Sequence, residues 1–131
     1  MKPLQSNEFT LLLAPIAAVN TERTASIALE DADYLTIDVT VGVEANTNAD
    51  DVALVLNERD GSSGSWVKIA EFDVDNTAAA KHQFHIDGRG RKQNLQLVIT
   101  PGTHTTNDAV ITSATAIKVK DIKTASAGTI V

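Results

Sequence analysis

The chain has 131 residues, no cysteine and a formal net charge of −6 at pH 7. This length suits one domain with a self-sufficient hydrophobic core. The lack of cysteine excludes disulfides, thiolate metal sites and a thiol nucleophile. An acidic chain is a poor general binder of nucleic acid, because phosphate contacts need Lys and Arg. We therefore expect no nucleic-acid partner.

Charge is spread unevenly along the sequence. Residues 1–65 hold three Lys or Arg and eleven Asp or Glu, whereas residues 66–131 hold eight and six. An acidic half and a mildly basic half favour head-to-tail or lattice contacts between subunits. An ordinary solvated surface is the alternative interpretation of the same asymmetry.

Clusters of Asn, Asp, Gly, Ser and Thr recur along the chain, and short runs rich in β-branched residues separate them, which predicts an all-β sandwich or barrel. The predicted strands cover residues 11–19, 24–29, 34–41, 52–58, 65–72, 81–86, 94–100 and 109–120. Residues 60–64 predict the turn of a β-hairpin. The last strand places Ile111, Ile117 and Val119 on one side. We expect a single-domain antiparallel β-sandwich, jelly-roll-like, of about eight strands.

The two ends differ from the middle of the chain. Residues 1–8 are polar, and residues 125–131 are rich in Ser, Ala, Gly and Thr. Within one domain over residues 1–131, we predict that both ends are extended arms, flexible or bound to a partner. The apolar run 9–19 is too short to span a bilayer. We expect a soluble protein without a signal peptide and without a membrane partner.

No group of residues predicts catalysis or metal binding. His82 and His85 are three residues apart in a predicted strand, so they lie on opposite faces, and we expect exposed polar histidines. Asp73 and Asp75 lack the rest of a calcium loop, and a polar turn is the simpler interpretation. The sequence has no nucleophile elbow, phosphate loop or dinucleotide fingerprint. We predict a non-enzyme with no catalytic residues, no metal and no cofactor.

The segment 87–92 stands out, because it holds three cations within a Gly-rich turn of an acidic chain. It is interpreted as a basic knob that docks on an acidic protein surface, as a phosphate contact, or as a structural corner in which an Arg pairs with Asp87 or a strand-edge carboxylate. The acidity of the chain disfavours the phosphate contact. The predicted partner-contact residues are the cations and three apolar residues of the arms: Arg89, Arg91, Lys92, Leu4, Ile130 and Val131.

Three blocks of the sequence resemble a loose pattern of small proteins encoded beside the major capsid protein in many tailed-phage genomes. The blocks are residues 33–39 (Asp-Tyr-Leu-Thr-Ile-Asp-Val), residues 54–60 with Trp66, and residues 84–92 with Leu95, Leu97 and Thr100-Pro101-Gly102. The resemblance covers about residues 27–120. Gly88 departs from the pattern, which has a bulky residue, often Leu, at that place.

The resemblance implies a virion structural protein of the capsid decoration (cement) type, which binds the outer capsid surface and stabilises the shell. It implies the major capsid protein as partner, a homo-oligomer with a trimer favoured, and a location on the virion after synthesis in the host cytoplasm. Two alternatives stay open: another virion module (tail, connector or host attachment), and a carbohydrate-binding β-sandwich. The few aromatic residues argue against the carbohydrate-binding alternative.

Overall fold

The computed structural model describes residues 4–18, 22–30, 32–42, 52–75, 80–100 and 110–122. These ranges contain eight β-strands and no helix, and every strand predicted from the sequence is present. In chain order the strands are β1 (Leu4–Ala18), β2 (Arg23–Ala28), β3 (Tyr34–Val41), β4 (Val52–Arg59), β5 (Val67–Val74), β6 (Ala80–Asp87), β7 (Asn94–Thr100) and β8 (Val110–Ile122).

The strands form two antiparallel four-stranded sheets. Sheet 1 has the order β1-β8-β3-β6, and sheet 2 has the order β2-β7-β4-β5. Consecutive strands cross from one sheet to the other, except for β4 and β5, which pair as the predicted hairpin. Eight strands that cross in this way between two sheets form a jelly roll, which confirms the fold predicted from the sequence.

The core fills the space between the two sheets, because alternate residues of the strands point inward. Leu35, Ile37 and Val39 of β3 are at most 1% exposed. The facing row of sheet 2 is buried to the same degree and consists of Val52, Leu54, Leu56, Leu95, Leu97 and Ile99. Burial of these aliphatic side chains sets the strand register, since a slip by one residue would turn each of them toward solvent.

The structure places part of the predicted N-terminal arm in the sheet. Residues 4–8 belong to β1, where their backbone pairs with residues 118–122 of β8. The physical reason is the length of β8, because its free backbone groups need hydrogen-bond partners along its whole extent. Residues 1–3 and 125–131, with the predicted contact residues Ile130 and Val131, lie outside the described residues.

The sandwich has two open edges, and each has its own link between the sheets. At the edge formed by β1 and β2, the Arg23 guanidinium donates to the Thr112 carbonyl, to Thr112 Oγ1 at 3.0 Å and to the Ala14 carbonyl at 2.7 Å. At the edge formed by β5 and β6, the rings of Phe72 and His82 stack with centroids 4.0 Å apart. Arg23 thus ties β2 of sheet 2 to β1 and β8 of sheet 1.

Candidate protein-contact surface

The outer face of sheet 1 carries large apolar side chains. Phe9 is 68% exposed, Leu11 is 62% exposed and Tyr34 is 44% exposed. The strand register puts Phe9 beside Ile117, and Tyr34 beside Val119, and both partners are half-buried. These five residues, Phe9, Leu11, Tyr34, Ile117 and Val119, are called the apolar patch. Such clusters on a folded surface mark interaction sites more often than single exposed residues do.

The alternation of β8 explains how the patch arises. Thr112, Ala114 and Ala116 point into the core and are at most 1% exposed, so Ile117 and Val119 point outward. The sequence predicted that Ile117 and Val119 share one side of the strand, which is correct. It did not show that this side faces solvent, because small inward residues and larger outward ones reverse the usual pattern of a half-buried strand.

Residues 87–92, called the basic corner, follow β6 at one end of the sandwich. The Gly88 N–H donates to the Asp33 carbonyl at 2.8 Å. A Cβ at position 88 would lie 2.2 Å from the Ala32 carbonyl oxygen, so the backbone approach requires glycine. The departure from the phage pattern at Gly88 therefore has a local reason: a leucine does not fit this corner.

Arg89 pairs with its neighbour Asp87 and lies against the apolar patch. Its Nε and Nη2 donate to the Asp87 carboxylate at 2.9 and 2.8 Å, and Nη2 also donates to Tyr34 Oη at 3.2 Å. These hydrogen bonds lower the pKa of Asp87, with the Arg89 side chain as the main cause. The Arg89 side chain stays 67% exposed. The structural corner predicted as one interpretation is thus present, and it leaves Arg89 accessible.

The other two cations of the basic corner face sheet 2. Arg91 Nη1 lies 3.7 Å from Glu58 Oε2, and the backbone N–H of Lys92 donates to the same carboxylate oxygen at 3.1 Å. The structure therefore brings Arg89, Arg91 and Lys92 together at one end, with Arg89 on the side of sheet 1. Leu4 is the first residue of β1 and pairs with Ile122, so its backbone lies in the sheet.

A groove of about 710 Å³ opens beside the basic corner, and it is called the loop groove. Trp66, Arg59, Arg91 and Lys92 line it together with Glu30. The Arg59 guanidinium lies 4.2 Å from the centre of the Trp66 ring. The sequence marked Trp66 as part of a motif but did not predict this groove, because three separate segments of the chain form it.

The histidines differ from the prediction in part. His85 is exposed on the outer face of sheet 1, as predicted, whereas His82 is half-buried between the rings of Phe72 and Phe84. The expectation of an exposed His82 is wrong, because its row points inward with Phe84. Burial lowers the pKa of His82, and the nearby His85 lowers it further. Within the described ranges, no three His, Asp or Glu residues are grouped so that they could hold a metal ion.

Comparisons with known proteins support the fold. No family model matches the chain, and no curated protein sequence matches it. A carbohydrate-binding module specific for non-crystalline cellulose, CBM28, is similar in structure with a TM-score of 0.50 and 10% identity, over 85% of this chain and 73% of that chain. This likeness shows a shared β-sandwich fold.

Two further solved structures are similar at lower TM-scores. The CBM36-1 domain of a xylanase from the hindgut metagenome of Trinervitermes trinervoides has a TM-score of 0.47 and 8% identity, over 96% of this chain and 100% of that chain. A chain of broad bean stain virus has a TM-score of 0.43 and 13% identity, over 98% of this chain and 91% of that chain. Among the described residues, no helix is long and apolar enough to cross a membrane.

Proposed function

We propose that the protein is a phage capsid decoration protein that binds the outer surface of the major capsid protein and stabilises the shell. The apolar patch carries the proposal, because it lies on the outer face of a sheet and its Tyr34 contacts Arg89 of the basic corner. Tyr and Arg are enriched at the centres of protein interfaces. The sequence resemblance to tailed-phage virion proteins points to the same partner.

The patch fits protein contact because it is already ordered before binding. Phe9 and Leu11 are held by the backbone pairing of β1 with β8, so little conformational entropy is lost when they are covered. Burial of apolar surface favours binding, and a few large side chains at the centre of an interface often supply most of its affinity. Several copies bound around a lattice position, with a trimer favoured, would combine weak contacts into strong avidity.

The test uses shells of the encoding phage assembled without the protein. Purified protein should co-sediment with such shells, saturate at a fixed number of copies per capsid subunit, and raise the temperature at which the shells melt. Cryo-microscopy of the decorated shell should show added density on its outer surface. A complete lack of binding to these shells would contradict the proposal. Density on the tail or connector of the virion would instead favour the other virion modules.

A further inference from the structure

The loop groove is more basic than the rest of this acidic chain. Three cations, Arg59, Arg91 and Lys92, line it, and among the residues that the structure describes Glu30 is the one acidic residue of the lining. The Glu30 carboxylate is itself occupied, since it accepts a hydrogen bond from Lys118 Nζ at 2.8 Å, and this contact lowers the pKa of Glu30. The groove therefore presents a positive lining in a protein whose net charge is −6.

Hydrogen bonds between loops hold the groove in one shape. The Asn94 side chain donates to the Gly61 carbonyl at 2.7 Å, and the Gly61 N–H donates to Gln93 Oε1 at 3.2 Å. The Gln93 N–H donates to Asp60 at 3.2 Å. These contacts fasten the β4–β5 hairpin loop to Gln93 and to Asn94, the first residue of β7. A preformed groove binds a flexible ligand at a smaller entropic cost than a groove that must first close.

The cations of the groove keep capacity for a further anion. Arg91 is 3.7 Å from Glu58, which is long for a charge-assisted contact, and its side chain is 40% exposed. The Lys92 ammonium forms no ion pair within 4 Å in the part of the chain that the structure describes. Trp66 and Leu29 add apolar lining next to these charges. The groove thus combines carboxylate-binding groups with a surface for small apolar side chains.

We propose that the loop groove binds an extended, glutamate- or aspartate-rich segment of the partner protein. This inference rests on the proposed function and names the chemistry of a second contact, separate from the apolar patch. Charge complementarity supports this assignment. The cations of the groove attract an acidic segment, whereas the surrounding acidic surface repels it, so the segment binds at the groove. The volume of about 710 Å³ lies within the usual range of ligand sites, about 300–1,000 Å³.

The test uses the fluorescence of Trp66, which is the one tryptophan of the chain and lines the groove. An eight-residue peptide of alternating Glu and Ala should change this fluorescence saturably, and more weakly at high salt. The double change Arg91→Gln with Lys92→Gln should lower the affinity for this peptide at least tenfold. The matched control, Lys68→Gln with Lys81→Gln, removes two cations that do not line the groove and should leave the affinity unchanged.

Other outcomes of the titration would overturn the inference. If a peptide of alternating Gln and Ala bound equally well, charge would not be the basis of binding in the groove. Tighter binding of a galacturonate oligomer or of cellohexaose would assign the groove to a saccharide. Shell binding separates the two proposals: wild-type protein that binds shells while the Glu-Ala peptide fails overturns the groove inference alone. Wild-type protein that fails to bind shells overturns the proposed function, whatever the peptide does.

Discussion

The outer faces of the two sheets differ although both sheets share one core. On sheet 2, Asn57 donates to Gln96 at 3.0 Å and Lys68 pairs with Glu71 at 2.8 Å, so neighbouring side chains satisfy one another. On sheet 1, Phe9 and Leu11 are more than 60% exposed. Among the described residues, polar side chains on the outer face of sheet 2 pair with one another, whereas the outer face of sheet 1 exposes large apolar side chains.

The inner faces do not cause this difference. A jelly roll requires apolar residues on alternate positions that point inward, and it leaves the outward positions free to vary. Polar residues that pair with one another, such as Asn57 with Gln96 and Lys68 with Glu71, occupy outward positions of sheet 2, and the half-buried Val55 and Val98 lie among them. Outward positions of β1 and β8 include the large apolar residues Phe9, Leu11, Ile117 and Val119, which the core between the sheets does not require. Four variants test how the two faces and the edges between them differ.

The largest effect is expected for Gly88→Leu, which breaks the corner that joins the two faces. The new Cβ would lie 2.2 Å from the Ala32 carbonyl oxygen, a backbone atom that cannot turn away. We expect a loss of about 3 kcal/mol in the free energy of unfolding, at the upper end of overpacking costs. Urea denaturation measures it. The exposed Gly61→Ala is a useful contrast, because its strain comes from a φ of 66° and not from a contact.

A stable Gly88→Leu variant with an unchanged urea midpoint would show that the corner is looser than the hydrogen bond from Gly88 to Asp33 indicates. It would also weaken the structural explanation for the departure from the phage pattern. We also expect Arg89 to shift in the destabilised Gly88→Leu variant. The hydrogen bond from Gly88 to Asp33 fixes the backbone from which Arg89 reaches Tyr34.

The next effect is expected for Arg23→Met, which loosens the strand that carries Phe9. Arg23 donates to Thr112, which is fully buried, so its removal leaves buried oxygens without a donor. We expect a loss of about 1–3 kcal/mol in the free energy of unfolding, measured by urea denaturation. The control Lys68→Met removes an exposed cation and should change stability by less than about 0.5 kcal/mol. Equal effects of the two changes would contradict the role of Arg23.

The comparison itself is tested by Phe9→Thr with Leu11→Thr. Threonine keeps a high strand propensity, so stability should change little, whereas affinity for undecorated shells should fall at least tenfold, or about 1.4 kcal/mol. The matched change on sheet 2, Val55→Thr with Val98→Thr, alters two neighbouring outward residues of that face and should leave shell affinity unchanged. A larger loss from the sheet 2 change would reverse the assignment of the binding face.

Much of the fold could be predicted from the sequence, because period-two alternation in runs such as Tyr34–Val41 directly reports which side chains are buried. The eight strands and the jelly-roll class followed from this alternation and the turn residues. The apolar patch was harder to predict, since alternation shows that Ile117 and Val119 share a side but not which side faces the core. The loop groove requires contacts between residues more than thirty positions apart, such as Gly61 with Gln93, which local patterns do not contain.

The smallest effect is expected from His82, at the edge where the sheets meet far from the apolar patch. Burial lowers the pKa of His82 from its ordinary value of 6.5, so the unfolded chain binds a proton more readily than the folded chain. The free energy of unfolding should therefore fall as the pH drops through 6.5 toward the lower folded pKa, and be unaffected by His82 well above 6.5. In His82→Gln this part of the pH dependence disappears, so melting temperatures measured from pH 7.5 to 5.5 should fall less steeply than in the wild type.

His85→Gln is the control. It should keep most of this pH dependence, because burial is the main cause of the lowered pKa of His82 and His85 is a smaller one. Parallel curves for all three proteins would show that solvent reaches the His82 ring between Phe72 and Phe84, and that this edge of the sandwich does not respond to pH.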